Sequence, residues 1–326
     1  MPETNWSLLA SLRMVLALIV ACGHLVWFDD SILSQICIPL SGKAAVIGFF
    51  MVSGFSIAAS LDRDSRGFYF RRFKRIYPLY FFCVALAIIL QLCLGNFKLP
   101  HYELEASGPI TSIGNLLMLQ MTLVKSIAYD GVVWSLALEC AYYLISPYLC
   151  RMHVGFTVAL ILISGVFYLL PYGWSSSIFY TILLKAKLIT YFWAYGIGLV
   201  LYSHRSHIVA ALCLALGLVL VYLSPITSEP LSVVTFAAAY IVLLVARVWP
   251  SKSTILDYLG DLSYPLYLIH IPTFIVCYAL FGITNGWLLV AAAMVTSALA
   301  FELVDVRLKK LIFGRRNSLS MAGAPS

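Results

Sequence analysis

The chain has 326 residues, of which 62% are hydrophobic and 11% are charged, and its formal net charge at pH 7 is +7. This composition excludes an ordinary soluble domain and is typical of an integral membrane protein. The positive charges cluster beside apolar segments, so the net charge predicts contact with the membrane surface and no nucleic-acid partner.

Apolar runs of about 17 to 22 residues predict an all-α bundle of membrane-spanning helices, since a β-barrel would show short alternating strands. Most Lys and Arg residues fall in alternate breaks, with the largest group at 63–75. Such loops tend to stay in the cytoplasm, which predicts about ten spans with both termini cytoplasmic. The predicted spans are 6–28, 44–61, 76–94, 131–150, 154–170, 188–203, 208–223, 231–248, 262–281 and 287–306.

Two segments are predicted to lie outside these spans. Residues 112–128 are apolar but contain Asn115 and Gln120, so we interpret them as interfacial or re-entrant. A full span there would reverse the orientation of every later helix. Residues 314–326 are expected to form a short disordered cytoplasmic tail after a transmembrane domain at 1–313.

The first predicted span contains two polar residues, Arg13 and His24. On a helix, the rotation between these two positions places both side chains within about 20° of the same face, with the histidine about 16 Å further along the axis. A charge at membrane depth costs about 2.5 to 3.5 kcal/mol, so Arg13 predicts a cavity for an anionic or carbonyl-rich ligand, unless it snorkels or forms a structural ion pair. His24 is either a general base or an ordinary interfacial histidine.

Ser135 and Glu139 form a second polar pair, one turn apart on the same face. Glu139 needs a partner inside an apolar span, and Arg13 or a histidine are the candidates. The carboxylate would then serve structure alone or orient a histidine base.

The second predicted span contains the small residues Gly48, Ser53 and Gly54. Small residues allow close approach of a neighbouring helix or a ligand, and helix packing is the simpler interpretation. A nucleophilic role for Ser53 has only weak support.

The ninth predicted span places Tyr264, Tyr267 and His270 along one edge at i, i+3 spacing. Prolines on both sides of His270 would free backbone carbonyls, which is tolerated where a cavity or a neighbouring helix compensates. Ligand contact and aromatic-belt packing explain the two tyrosines equally well.

Arg72 and Arg75 lie one turn apart before the third predicted span. They are either topology determinants that contact anionic lipid or a phosphate clamp. The eight cysteines include no CxxC pair and no clustered His/Cys spacing, so no metal site and no disulfide framework is predicted.

In their order along the chain, these motifs resemble the acyltransferase 3 family of integral membrane acyltransferases. The matching blocks extend from residue 13 to residue 272 and cover most of the chain. They are Arg13 with His24, Phe49-Phe50 with Ser53-Gly54-Phe55, Arg71-Arg72-Phe73-Lys74-Arg75-Ile76-Tyr77-Pro78, Trp134-Ser135-Leu136 with Glu139, Tyr143 and Pro147, and Ser263-Tyr264 with Leu266-Tyr267-Leu268 and His270.

The resemblance implies an O-acyltransferase that moves an acyl group, usually acetyl, from cytoplasmic acyl-CoA to a hydroxyl of a glycan at the outer side. Acyl-CoA would be a co-substrate, with no permanently bound cofactor. The expected partners are the lipid bilayer, acyl-CoA and the glycan acceptor, and the expected location is a bacterial inner membrane, with a role in polysaccharide modification. The chain would be a standalone transferase, without the hydrolase-like domain that some members carry.

The same resemblance implies roles for particular residues. His24 would be the catalytic base or acyl-transfer residue, and Arg13 its partner on the donor path. Arg72 and Arg75 would lie near the CoA phosphates. The full expected set is His24, Arg13 and Glu139 as catalytic residues, and Arg72, Arg75, Ser53, Tyr264, Tyr267 and His270 as donor-binding residues.

Two other classes stay open at this point. A transporter or flippase would also carry intramembrane charges and proline-broken helices, but it would move its substrate without acyl-CoA. It would often show an internal repeat, which we do not detect. A structural membrane subunit would leave the Arg13/His24 stripe unexplained.

Overall fold

The computed structural model describes residues 4–29, 32–120, 122–170 and 187–314. It is 80% helical, and within these ranges the only strands are Phe97–Lys98 and Glu103–Leu104, which pair antiparallel. The predicted all-α class is confirmed. The helices are α1 (Trp6–Gly23), α2 (Ile32–Cys37), α3 (Gly42–Arg63), α4 (Phe68–Leu94), α5 (Pro109–Leu116), α6 (Val133–Leu149), α7 (Val154–Leu169), α8 (Lys187–Thr190), α9 (Phe192–Ser203), α10 (His207–Leu223), α11 (Ser232–Val248), α12 (Thr254–Phe281), α13 (Gly286–Ala300) and α14 (Lys309–Phe313).

Five helical stretches in the described ranges are long and apolar enough to cross a membrane. They are Trp6–Trp27, Gly42–Arg63, Phe68–Leu94, Thr254–Phe281 and Gly286–Phe313. The helices α7, α9, α10 and α11 are apolar but shorter. Large apolar side chains such as Leu92 (77% exposed) and Leu212 (65% exposed) face outward, as expected of a surface in lipid. These are the features of an integral membrane protein, while the count of ten spans and the cytoplasmic termini stay predictions.

Two predicted helix starts are too late. Helix α4 begins at Phe68 after Gly67, whose φ is +63°, so the basic residues 71–75 form its first turns and not a loop. Helix α12 begins at Thr254, where the Ser253 hydroxyl accepts the backbone N–H of Leu256. Both starts were missed because polar helical turns extend beyond the apolar run that marks a span. The predicted tail after Gly314 lies outside the described residues.

The segment 112–128 was predicted to be interfacial or re-entrant. In agreement with this, it does not form a single spanning helix. Its helix α5 has eight residues, which makes it about 12 Å long. The Asn115 amide donates to the carbonyls of Thr111 and Lys125 at 2.8 Å. The Gln120 amide donates to the Val133 carbonyl at 2.9 Å. The polar residues that interrupt the apolar pattern therefore hold an irregular backbone together.

Helix α3 lies at the centre of the bundle and packs against α1, α6, α9 and α11. A Cβ atom at Gly54 would lie 2.1 Å from the Tyr195 carbonyl oxygen, and one at Gly198 would lie 2.1 Å from the Met51 carbonyl oxygen. The backbones of α3 and α9 are thus in direct contact, which confirms the helix-packing interpretation for Gly54. Helix α1 packs most extensively on α12, and this brings the Arg13/His24 stripe against the Tyr264–His270 edge.

Candidate active site

A first cavity lies between α1, α3, α4, α6 and α12. We call it the arginine cavity, because its charged lining residues are Arg13, Arg72, Arg75 and Glu139. The wall of the cavity thus contains three guanidinium groups and one carboxylate. Its wall also carries serine and tyrosine hydroxyls, so it is suited to a polar ligand with negative charge.

Neutral hydroxyls on α3 hold two of the three arginines. Arg13 Nη2 donates to Ser56 Oγ at 2.7 Å, and Arg72 Nη2 donates to Ser60 Oγ at 2.7 Å. Neither arginine forms an ion pair with any residue that the structure describes. Because a hydroxyl orients a guanidinium without neutralising it, the positive charge stays available to a ligand.

Glu139 has different partners from those predicted. Its Oε1 accepts hydrogen bonds from Ser53 Oγ and from Tyr143 OH, and the two hydroxyls lie 2.9 Å apart. Among the described residues the carboxylate pairs neither with Arg13 nor with a histidine. Tyr143 follows Glu139 by one turn of α6, and α3 presents Ser53 to the same face. Two nearby hydroxyls therefore supply the hydrogen bonds that this carboxylate needs.

The partner of His24 is His270. His24 Nδ1 lies 2.8 Å from the Val20 carbonyl oxygen, and His270 Nδ1 lies 2.9 Å from the Leu266 carbonyl oxygen. A carbonyl only accepts, so both Nδ1 atoms carry the proton in neutral rings. His270 Nε2 is 3.2 Å from His24 Nδ1 and accepts a share of its hydrogen. These contacts leave His24 Nε2 as an unprotonated nitrogen.

His24 lines the second cavity, which we call the histidine cavity. The two cavities share Val46 and Tyr267 as lining residues. The Tyr267 hydroxyl lies 2.6 Å from Ser135 Oγ, and its ring packs edge-on against Phe49 with centroids 5.4 Å apart. Tyr267 therefore forms a fixed part of the wall between them.

The structure brings most of the predicted residues to one place. The exceptions are His24, which lines the histidine cavity, and His270, which is fully buried beside His24 and lines neither cavity. Sequence reasoning missed Ser56 and Ser60, although Ser53, Ser56 and Ser60 recur at helical spacing on one face of α3. No group of three His, Cys, Asp or Glu side chains in the described ranges could hold a metal ion. The predicted residues that line the arginine cavity are Arg13, Ser53, Arg72, Arg75, Glu139, Tyr264 and Tyr267.

Comparison with known proteins finds relatives that include a named acyltransferase and a named acetyltransferase. The chain is 31% identical over 156 residues to the acyltransferase MdmB of Streptomyces mycarofaciens, covering 44% of this chain and 39% of that protein. It is 26% identical over 289 residues to ORF330 of Acidianus two-tailed virus, which carries an acetyltransferase name, covering 81% and 82%. It is 30% identical over 156 residues to protein 2 in the picA locus of Rhizobium radiobacter, covering 45% and 75%. No solved structure matches the chain.

A family model covers almost the whole sequence. Residues 9–304 match the acyltransferase 3 model, which is described as an acyltransferase domain. The match includes the elements that build both cavities, and it decides between the transferase and the transporter alternatives. The chain belongs to the acyltransferase 3 family and is an acyltransferase.

Proposed function

We propose that the protein is a membrane-embedded O-acyltransferase that moves an acetyl group from cytoplasmic acetyl-CoA to a hydroxyl of an extracytoplasmic or lipid-linked glycan. The observation that carries this proposal is the pair of cavities that meet at Val46 and Tyr267. One holds three arginines and the other holds His24. An anionic donor and a hydroxyl acceptor would enter from opposite sides and meet at this wall.

The arginine cavity is suited to the donor. Arg72 and Arg75 lie near the start of α4, which we predict to be its cytoplasmic end, and would bind the CoA phosphates. Arg13 would line the path of the extended pantetheine arm. Ser53, Tyr264 and Tyr267 would contact that arm, with Tyr267 at its reacting end. Carrying the thioester inside the protein avoids exposing its polar atoms to lipid.

His24 would act as the general base. Its Nε2 would take the proton of the acceptor hydroxyl as the oxygen attacks the thioester carbonyl, so that a C–O bond forms and the C–S bond breaks. The proton would then pass to the departing sulfur, which leaves as the CoA thiol and restores neutral His24. His270 would keep the His24 ring in this orientation and would support the imidazolium through its Nε2 lone pair, the role that a carboxylate has in a catalytic triad.

Several features support the finer parts of this proposal. The name of the viral relative supports acetyl as the transferred group. The bias of positive charge towards the predicted cytoplasmic loops supports a multi-pass protein of a bacterial inner membrane. A glycan acceptor would supply the hydroxyl that His24 deprotonates, which would give the protein a role in polysaccharide modification.

Membrane vesicles of defined orientation test the proposal. Acetyl-CoA labelled in the acetyl group does not cross lipid, so we expect labelled acceptor in inside-out vesicles and none in sealed right-side-out vesicles. Arg72→Gln should raise the KM for acetyl-CoA, and the matched Arg66→Gln, a change outside both cavities, should not. Equal labelling in both orientations would overturn the proposed path, and movement of an acceptor without acetyl-CoA would indicate a transporter.

A further inference from the structure

The histidine cavity contains more positive than negative charge. Its charged lining residues are Lys43, Lys187 and Glu229. A site for a neutral sugar would not need this excess of positive charge. The cavity is open at one side, so a ligand can enter it from outside the bundle. Two ammonium groups and one carboxylate therefore line the proposed substrate site.

The single carboxylate is already engaged. Glu229 Oε2 accepts hydrogen bonds from Ser41 Oγ at 2.9 Å and from Ser232 Oγ at 3.3 Å. Its Oε1 lies 3.9 Å from Lys43 Nζ, at the far limit of an ion pair. Glu229 thus offsets at most one of the two ammonium groups.

Lys187 has no carboxylate partner among the residues that the structure describes. Its Nζ lies 4.6 Å from the centre of the Trp134 ring, in a cation–π contact that holds the ammonium group without neutralising it. Burial lowers the pKa of Lys187, and the nearby Lys43 charge lowers it further. Lys43 and Lys187 line the same cavity, so their like charges repel, and a bound anion would relieve that repulsion.

Lys43 also occupies a position that disfavours a cation. It is the second residue of α3, where the helix dipole places partial positive charge. A cation at a helix N-terminus lowers stability, and the Glu229 carboxylate lies 3.9 Å from Lys43 Nζ, so a ligand anion closer to Lys43 would stabilise this end of the helix. Gly42 lines the same wall and presents no side chain to obstruct it.

We propose that the acceptor bound beside His24 carries an acidic group, a carboxylate or a phosphate, held between Lys43 and Lys187 next to the hydroxyl that is acylated. This inference rests on the proposed function, since it names the acceptor class of that site. A uronic acid residue and a phosphate-linked sugar share this chemistry. Lys43 and Lys187 are then specificity-determining residues that select the acceptor through its charge.

Direct binding of small sugar probes tests this without turnover. In nanodiscs, wild-type protein should bind 4-nitrophenyl β-glucuronide more tightly than 4-nitrophenyl β-glucoside, and glucose 6-phosphate more tightly than glucose. We expect a preference of about tenfold or more in at least one pair, the value of one charge-assisted hydrogen bond. The pair with the larger preference distinguishes a carboxylate from a phosphate, and the preference should shrink at high salt.

Variants of the two lysines complete the test. Lys187→Gln and the more exposed Lys43→Gln should each lose most of the preference while binding the neutral probes as before. Lys187→Arg, which keeps the charge, should retain it, and the exposed Lys98→Gln should behave like wild type. Equal binding of acidic and neutral probes, or a preference that survives both glutamine variants, would overturn the inference. Because acetyl-CoA is absent from this assay, its result is independent of the vesicle test of the proposed function.

Discussion

The crossing of α3 and α9 allows a prediction in which two physical effects have opposite signs. Gly54→Ala replaces a helical glycine by the best helix former, which alone would stabilise the fold by about 1 kcal/mol. The added Cβ would, however, lie 2.1 Å from the Tyr195 carbonyl oxygen, where ordinary contacts begin at 3.4 Å. The two backbones must then part by about 1.3 Å. Overpacking of this kind costs about 1 to 3 kcal/mol, so we expect a net loss of stability.

The assay is the thermal midpoint of the purified protein in detergent. Gly198→Ala should be destabilised as much as Gly54→Ala, since its Cβ meets the Met51 carbonyl oxygen at the same distance of 2.1 Å. The double variant should lose less than the sum, because helices already parted for one methyl group accommodate the second more easily. Gly23→Ala is the matched control, as Gly23 is also helical and no atom lies within 4 Å of its added Cβ, and we expect its midpoint to be unchanged or slightly higher.

Acyl transfer should fall in the same variants. Gly54 directly follows Ser53 in the wall of the arginine cavity, and a displacement of about 1 Å at a reacting site can cost about a hundredfold in rate. A midpoint of Gly54→Ala at or above that of wild type, with full activity, would refute direct backbone contact between α3 and α9.

Two further predictions concern residues near the site. The carboxyl of Asp130 is fully buried, has no hydrogen-bond partner among the described residues, and has a pKa that burial raises well above its usual range. The folded state disfavours the charged carboxylate, so folding stability falls as the pH rises above about 3.9, the pKa of this carboxyl in the unfolded chain. Asp130→Asn should therefore raise the thermal midpoint more at pH 7 to 8 than at pH 4. A lower midpoint at both pH values would contradict this. His270→Ala should lower kcat about tenfold to a hundredfold without changing acetyl-CoA binding. In His270→Gln the amide oxygen can accept the hydrogen bond from His24 Nδ1, so this variant should recover part of the lost rate. Equal rates in wild type and both variants would exclude a positioning role for His270.

Polar and charged residues inside apolar segments could be recognised as candidate site residues from the sequence alone. Arg13, Glu139 and the Tyr264–Tyr267 edge were singled out by their position and spacing in apolar spans, and Ser53 by the family resemblance; the structure brings them to one cavity. Such residues can be found without a structure because an apolar span leaves few reasons for a charge.

The pairings could not be predicted in the same way. Glu139 was expected to pair with Arg13 or a histidine, whereas Ser53 and Tyr143 hold it. His270 was expected to bind the donor, whereas it contacts His24. Helix spacing fixes which side chains share a face but not how neighbouring helices are rotated and shifted against each other, and these contacts depend on that packing.

The role of His24 as the general base is tested by comparing His24→Ala with wild type in purified protein. We measure acetyl-CoA binding, and release of the CoA thiol that depends on added acceptor. His24→Ala should bind acetyl-CoA as wild type does but transfer the acetyl group about 10² to 10⁴ times more slowly, the contribution of a general base. Transfer at the wild-type rate by folded, membrane-inserted His24→Ala would contradict the assignment of His24 as the base.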